Sequence, residues 1–424
     1  MRMPNLEGTP RFLVCCDWGL APGGRAIYVG DAQARTLGPG GPTPFCNANG
    51  DPWTLSAVLE LGRRLRDQGP VLLAFDMPLG IPASYLDAAR AVPRWSAATS
   101  FVEWLPLACA EGTFHTNVDQ PEAWAVEQPF ARVPSGSGSL KRIHARAARE
   151  GVVLRREVDA LTNATPVFIA AGIPGAMGTA ARQLWRELSE ALTLPSRDFG
   201  VWPFEGTLQE VLETHGLAVG ELLPHAALAI ALLDEPPAER PRLYLAKAYA
   251  EDRARALTQL QAARWTQPLR IDDEGLAHAG SSPEAFAALM SAAALLRCTL
   301  EGTALSALEH EDSVAEGGLL GSGSVNLSLH LRPFRARAPR LPALSRLPRA
   351  ALQARPLPPR PNPKRIPKGQ TCPIPGCDHR FMIGRGGWDA HVSTLRRHHD
   401  WAPELQDAQA RMRRFREEFP DFFA

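Results

Sequence analysis

The stretch VLLAFDMPLGIP at positions 71–82 decides our interpretation of the fold. Its first five residues are an apolar run that follows a Gly-Pro break, which is typical of a buried strand. This run ends in Asp76, and an earlier apolar run, RFLVCC at 11–16, ends in Asp17. The sequence therefore predicts two strands that each carry a carboxylate at the carboxyl end.

The residues between the two runs predict how the strands are connected. A Pro-Gly-Gly turn at 22–24 leads into a return strand, and TLSAVLELGRRLRD at 54–67 has the apolar spacing of an amphipathic helix capped by Thr54. Strand, hairpin, helix and strand in this order favour an α/β domain with a mixed sheet. Neighbouring strands would bring Asp17 and Asp76 to one sheet edge, although an aspartate after a strand often serves only as a turn or cap residue.

FDMPLGIP (75–82) resembles a motif of a bacterial and archaeal family of unknown function, whose members are predicted to be nucleases with an RNase H-like fold. That motif is an apolar strand followed by Asp-x-Pro-Leu-Gly-x-Pro, and CCDWG around Asp17 is similar to the family's first strand. The resemblance covers about residues 11–300. Later segments follow the family's order: the turn and helix in 166–188, VWPFEG (201–206), ELLPHAALAIAL (221–232) and SSPEAFAALMSAAALLR (281–297).

The resemblance implies a catalytic set of acidic residues, which here would be Asp17, Asp76, Glu221 and Glu284. The closing helix departs from the family pattern, because Ala287 stands where a last acidic residue is expected. Glu284 lies three positions earlier, about one helical turn away on a similar face. Either Glu284 substitutes as a ligand, or the site is incomplete and the domain binds nucleic acid without cutting it.

Carboxylates are hard oxygen ligands that suit Mg²⁺ or Mn²⁺. Two such ions about 4 Å apart activate the attacking water and stabilise the leaving oxygen in phosphodiester cleavage. Our hypothesis is that Asp17 bridges both ions, with Asp76 and Glu221 on one side and Glu284 on the other. A competing class is an actin-like or sugar-kinase-type phosphotransferase, since Asp17-Trp18-Gly19 would fit a phosphate turn. The sequence shows no second Asp-x-Gly phosphate turn that begins an equivalent later subdomain, and no Walker-type loop, which disfavours that class.

The net charge of the chain is only +1, but its basic and acidic residues are unevenly distributed along the sequence. Residues 331–370 hold eleven Lys/Arg, ten Pro and no Asp/Glu, so this segment reads as an extended cationic linker. It is either a solubilising spacer or a tether for a polyanion, and uncompensated basic charge favours the tether.

The C-terminal part predicts a zinc site. Cys372, Cys377, His391 and His398 form a Cys2His2 pattern that resembles a single zinc finger, with His399 possible instead of His398. On an unbroken helix His391 and His398 would lie about 10 Å apart along the axis, so the helix must distort or His379 must complete the site. Basic residues in the linker and the finger are candidates for nucleic-acid binding: Arg360, Lys364, Arg365, Lys368, Arg385, Arg396 and Arg397.

These observations predict four segments: an RNase H-like α/β domain (1–330), the basic linker (331–370), a zinc finger (371–401) and a C-terminal helix (402–424). Seven scattered cysteines and the absence of a signal peptide or an uninterrupted apolar run of about 18 residues favour a cytoplasmic protein without a membrane span. The expected function is a metal-dependent nuclease on DNA or RNA. The alternative is a catalytically inactive adaptor that binds nucleic acid, or a protein partner through the finger. Residues 98–165 carry no recognisable motif and are interpreted as an insertion that covers the site.

Overall fold

The structure is a computed structural model that describes residues 9–331, with gaps at 135–137, 174 and 307–312. Beyond residue 331 it describes only positions 372, 374, 414, 415 and 417–419. The chain divides into two compact units, Met1–Arg335 and Ala336–Ala424.

Strands and helices alternate along the first unit. The strands are β1 (Phe12–Asp17), β2 (Ala26–Asp31), β3 (Thr36–Pro39), β4 (Val71–Phe75), β5 (Ala131–Arg132), β6 (Ile169–Ala171), β7 (Gly200–Val201), β8 (Leu217–Leu222), β9 (Pro241–Leu243), β10 (Arg270–Ile271), β11 (Leu319–Leu320) and β12 (Asn326–Leu331). The α-helices are α1 (Leu55–Arg66), α2 (Ala83–Arg90), α3 (Phe101–Cys109), α4 (Ser139–Arg149), α5 (Glu157–Thr162), α6 (Gly178–Leu192), α7 (Leu208–His215), α8 (Pro224–Leu232), α9 (Ala250–Ala262), α10 (Asp273–Ser281), α11 (Pro283–Glu301) and α12 (Ser313–Glu316).

Eight strands form one mixed sheet in the order β10-β3-β2-β1-β4-β8-β11, with β7 also paired to β8. β2 is antiparallel to both β1 and β3, whereas β1, β4 and β8 are parallel neighbours. Two small sheets lie outside it, one of β9 with β12 and one of β5 with β6. The predicted α/β class with a mixed sheet is therefore confirmed.

The sequence pattern predicted the bounds of β4, the start of α1 and the turn between β1 and β2 correctly. β4 begins and ends at the residues that the apolar run indicates, and α1 starts after Thr54, whose hydroxyl accepts a hydrogen bond from the Ala57 amide at 3.2 Å. This hydroxyl satisfies one of the backbone donors that every helix leaves unpaired at its start. The hairpin between β1 and β2 contains the predicted turn at 22–24, which is a short 3-10 helix.

Alternation of side chains along the strands divides the core into two faces. On the first face, Val14, Cys16 and Phe75 pack with α1, α3 and α6. On the second face, Cys15 and Ala74 pack with α8 and α11. Since both faces are covered, the central strands are apolar throughout, as expected for parallel strands between helices.

Helix α11 is long and apolar enough to span a membrane by length and composition, which the search for an uninterrupted apolar run did not anticipate. In the residues the structure describes it is alone in this respect, and most of it is buried inside the domain. It contacts β1, β2 and α8, so its apolar character is that of a core helix.

Most of the segment 98–165 packs on the first face. Its aromatic residues surround Trp185 of α6, with Trp104 at 6.2 Å and Phe114 at 6.4 Å between ring centroids. Asp17 and Asp76 follow the alternation of the second face. Helices α3 and α4 thus lie on the face of the sheet opposite Asp17 and Asp76, whereas Val158 of α5 packs on the second face. The interpretation of this segment as a cover over the site stays a prediction.

Candidate active site

Asp17 and Asp76, here called the acid pair, lie side by side at the carboxyl ends of β1 and β4. Cys16 and Phe75 are partners in the parallel register, and the next residues are Asp17 and Asp76. The Asp76 amide donates to the Cys16 carbonyl at 3.2 Å, and the Trp18 amide donates to Asp76 Oδ1 at 2.7 Å. The structure thus brings together the two acidic residues that the sequence placed at one edge.

Lys247 makes direct contact with the acid pair. Its Nζ donates to Asp17 Oδ2 at 2.5 Å from the loop between β9 and α9. The Lys247 side chain is 44% exposed and that of Asp17 is 8% exposed, so the ammonium lies between the pair and solvent. Sequence reasoning missed this residue, because nothing near it in the sequence marks it as part of a site.

The amino-acid composition could nevertheless have drawn attention to Lys247, because lysine is rare in this chain. The chain has 42 arginines and four lysines, so lysine is the exceptional basic residue. Its compact ammonium is not interchangeable with the forked guanidinium of arginine. A lone lysine between Lys141 and Lys364 was therefore a reason to consider a specific role.

The site holds more acidic groups than basic ones. Burial and then the charge of Asp76 raise the pKa of Asp17 to about 8, although Lys247 opposes the shift. Burial also raises the pKa of Asp76. Burial disfavours the Lys247 ammonium, but Asp17 and Asp76 outweigh this effect and raise its pKa. One ammonium therefore does not fully offset two buried carboxylates, and the site favours additional positive charge.

Glu284 lies within electrostatic reach of this group, because its charge acts on both Asp17 and Lys247. It stands in the first turn of α11, where Ser282 is the N-cap. The Ser282 hydroxyl accepts from the Glu284 amide at 3.1 Å and donates to Glu284 Oε2 at 2.7 Å. The cap therefore fixes the carboxylate of Glu284 near the start of the helix, while Ala287 one turn later is nearly buried.

Arg253 connects the Lys247 loop to the segment that leads into α11. Its Nη1 donates to the Lys247 carbonyl at 2.7 Å. Its Nη2 donates to the carbonyls of Gly280 at 3.0 Å and Ser281 at 3.2 Å. Arg253 is 5% exposed, so this buried guanidinium holds together the two segments that carry Lys247 and Glu284.

His225 follows β8 at the start of α8 and stacks on Tyr244, with ring centroids 4.0 Å apart. Burial, Arg242 and Lys247 lower the pKa of His225 to about 4. The imidazole is therefore neutral at pH 7, so His225 adds a packed, uncharged ring beside the Lys247 loop.

Glu221 does not join the acid pair, which corrects the predicted four-residue set. In the parallel register Glu221 is the partner of Phe75, so its side chain shares the first face with Phe75. Asp76, one residue further, points to the opposite face. The sequence motif located Glu221 at the correct end of β8, but the face depends on the register, which a single sequence does not determine.

Glu221 instead belongs to a buried network around Arg156. Arg156 Nη1 and Nη2 bind Glu221 Oε2 at 2.6 Å and Oε1 at 2.8 Å, and Arg156 also pairs with Asp159 at 2.8 Å. The Leu79 amide donates to Glu221 Oε2 at 2.7 Å. The role of Glu221 is therefore to hold the loop that follows Asp76.

The same loop passes so close to α12 that a side chain at position 80 would clash with it, so this position requires glycine. Gly80 has φ +136°, and a Cβ there would lie 2.3 Å from the Glu316 carbonyl oxygen. The Glu316 side chain accepts hydrogen bonds from the amides of Ala83 at 3.2 Å and Glu157 at 2.5 Å. Packing thus explains the glycine of the Pro-Leu-Gly motif after Asp76.

The donor set of the acid pair fits one hard divalent cation. Mg²⁺ is typically held by one or two carboxylates, with water and substrate phosphate completing its shell. Among the residues described, Asp17 Oδ1 has no hydrogen-bond partner and Oδ2 already accepts from a cation, Lys247. Over the same residues no group of three or more His, Cys, Asp or Glu side chains is arranged to hold a metal. The geometry therefore supports fewer protein ligands than the four that we predicted.

The predicted zinc and nucleic-acid-binding residues fall mostly outside the described part of the chain. Cys372 is described and is buried. The residues outside it are Cys377, His391, His398, His399, Arg360, Lys364, Arg365, Lys368, Arg385, Arg396 and Arg397. The zinc site and the basic surface therefore stay predictions.

Comparison with protein-family models, curated proteins and solved structures finds no match to this chain.

Proposed function

We propose that this protein is a metal-dependent nuclease that hydrolyses phosphodiester bonds of DNA or RNA at the acid pair. The observation that carries the proposal is the placement of Asp17 and Asp76 at adjacent strand ends, with Glu284 nearby. We further propose an RNase H-like fold for the α/β domain, supported by its mixed sheet with helices on both faces. The cytoplasm is the proposed location.

Asp17 and Asp76 would hold Mg²⁺ or Mn²⁺ through their carboxylate oxygens. The bound ion would make a water more acidic and stabilise the leaving oxygen. The Trp18 amide orients Asp76 through its bond to Oδ1, and Ser282 orients Glu284. The buried Arg156 network keeps the loop after Asp76 in place, so it supports the acid pair from the opposite face of the sheet.

The second unit would supply affinity for the substrate. A structural Zn²⁺ held by Cys372, Cys377, His391 and His398 or His399 would order the finger. The basic linker would contact phosphates without reading their sequence. Both statements rest on the sequence pattern.

A cleavage assay with the full chain tests the proposal. Labelled single- and double-stranded DNA and RNA are incubated with Mg²⁺ or Mn²⁺ and either wild type, Asp17→Asn or Asp76→Asn. We expect cleavage by wild type and a loss of at least about 100-fold in each variant. Asp87→Asn is the matched control, because this carboxylate is 73% exposed on α2. Cleavage that persists at the wild-type rate in Asp17→Asn would overturn the proposal.

A catalytically inactive nucleic-acid-binding protein is the second candidate. It is favoured by the Lys247 contact to Asp17 and by the lack of a third grouped acidic ligand among the described residues. Ala287, at the position of an expected acidic residue, supports it further. A folded, zinc-loaded wild type that cleaves no substrate, and binds equally well without Mg²⁺ and after Asp17→Ala, would establish this function instead.

A further inference from the structure

We propose that Lys247 is an exchangeable internal counter-ion, which occupies Asp17 in the metal-free protein and gives way when a divalent cation binds. The inference rests on the proposed function, since it assumes that the acid pair is a metal site. It assigns a residue that no motif in the sequence marked, and it predicts a measurable competition between an ammonium group and a metal ion.

The first support is the position of the ammonium. Lys247 Nζ contacts Asp17 Oδ2, and the charges of Asp76 and Glu284 also stabilise the ammonium. A cation bound to these carboxylates would need the same oxygen and the same electrostatic environment. The two cations would therefore exclude each other, or at least repel each other strongly.

The second support is a comparison within the molecule. Glu221 is held by Arg156 through two hydrogen bonds, and both side chains are at most 8% exposed, which makes that pair permanent. Asp17 is held by Lys247 through one contact, and the lysine side chain is 44% exposed. A half-exposed lysine side chain can turn toward solvent without exposing the core, whereas a buried guanidinium cannot.

The third support is the anchoring of the loop. Arg253 binds the Lys247 carbonyl and thereby fixes the backbone, whereas the polar contact of the side chain among the described residues is that of Nζ with Asp17. The ammonium can therefore move while the loop stays in place. The site would pass from one positive charge to two without a change in the fold.

Titration of the full chain with Mn²⁺ alone, followed by calorimetry, tests the inference. We expect Lys247→Met to bind Mn²⁺ at least about tenfold more tightly than wild type, because one competing and repelling charge is removed. Lys247→Arg should bind no more tightly than wild type, since it keeps the charge. Lys141→Met is the matched control, because it removes the same charge from α4 on the other face of the sheet.

Lys247→Gln repeats the measurement with a polar side chain if the methionine variant folds poorly. An Mn²⁺ affinity of Lys247→Met equal to or weaker than that of wild type overturns the inference, and so does the absence of binding in both. The two proposals fail separately. Tighter Mn²⁺ binding by Lys247→Met in a protein that cleaves nothing sinks the nuclease function alone, whereas cleavage that depends on Asp17 and Asp76 with unchanged affinity sinks the counter-ion alone.

Discussion

At the residue scale, Asp17 and Glu221 are both buried carboxylates near the carboxyl ends of parallel strands, but their partners differ. Asp17 shares one ammonium with Asp76, whereas Glu221 accepts two hydrogen bonds from a guanidinium that it shares with Asp159, and one from a backbone amide. Burial raises the pKa of both carboxyl groups, but loss of the Asp17 charge relieves the repulsion with Asp76, whereas loss of the Glu221 charge removes a partner of a buried guanidinium. The two positions therefore respond in opposite directions to removal of the charge.

Asp17→Asn is expected to stabilise the metal-free protein by about 1 kcal/mol, or a rise in Tm of roughly 2 °C. The substitution leaves Asp76 and Lys247 as a balanced pair and removes a carboxyl group whose pKa is raised first by burial and then by the charge of Asp76. Thermal unfolding in the presence of a chelator measures the change. A Tm below that of wild type would mean that the acid pair is not a strained site.

Glu221→Gln is expected to destabilise the protein by up to about 3 kcal/mol, because it removes one of the two buried anionic partners of Arg156 and leaves only Asp159. Urea unfolding gives the free energy. The triple variant Arg156→Met, Asp159→Asn and Glu221→Gln should recover part of the loss, since no charge then stays buried alone. Stability unchanged by Glu221→Gln would contradict the structural role assigned here.

The site residues that the sequence predicted are marked by local pattern, whereas the roles of the others depend on strand register or on contacts between distant parts of the chain. Asp17 and Asp76 end apolar runs, so local pattern alone located them and neighbouring strands brought them together. The role of Glu221 depends on which face of the sheet it occupies, and that depends on register. Lys247 reaches Asp17 across 230 positions of sequence, a distance that no local pattern spans.

At the scale of elements, Asp198 fastens α1 to the chain that enters β7. Its Oδ1 lies 3.1 Å from Arg63 Nε and its Oδ2 lies 2.9 Å from Arg66 Nη2. Burial alone would raise the pKa of Asp198, but the hydrogen bonds and charges of Arg63 and Arg66 outweigh it and lower the pKa. The attachment of this helix therefore depends on pH.

A lowered pKa in the folded state means that Asp198 stabilises the protein above its ordinary pKa of about 3.9, and that this contribution disappears as the pH falls further. Asp198→Asn should cost at most about 1 kcal/mol at pH 7, since the pair is nearly one-third exposed. Urea midpoints of variant and wild type should converge below about pH 4. A difference that persists in acid would assign the effect to packing. Asp87→Asn, on an exposed pair, should show no difference.

The helices and strands that begin at a capping residue or a chain-breaking residue were the ones that the sequence predicted. Thr54 marked the start of α1, and a Gly-Pro break marked the start of β4. The segment 98–165 was not predictable, because its helices are specified by contacts with Trp185 and by other aromatic residues distant in sequence. Such packing leaves no periodic signal of its own.

At the scale of the whole molecule, the basic linker and the acidic domain make different predictions for substrate binding. Replacement of Arg360, Lys364, Arg365 and Lys368 by glutamine should weaken binding to double-stranded DNA and reduce the slope of log K against log salt by about 3 to 4 units. Fluorescence anisotropy from about 50 to 200 mM salt measures the slope. A linker with the same residues in scrambled order should keep the wild-type slope. An unchanged slope in the fourfold variant would mean that phosphates are contacted elsewhere.

The charge distribution was readable from the sequence without any structure, since counting alone separates the linker from the rest. Subtracting 331–370 and 371–424 from the whole leaves 27 basic and 37 acidic residues in 1–330. How such a negative domain would receive the proposed nucleic-acid substrate is not decided by counting charges. It depends on which groups surround the acid pair, and these came from separate loops and helices.

The hydrogen bonds of Arg253 have a consequence for how this site tolerates genetic change. Lys247 and Glu284 lie 37 positions apart and would look independent in a survey of substitutions, yet both segments are fastened to the same guanidinium. A substitution at position 253 would therefore change the positions of both Lys247 and Glu284. A residue that never touches a substrate would then be among the least replaceable in the domain, and its loss would resemble the loss of two functional groups.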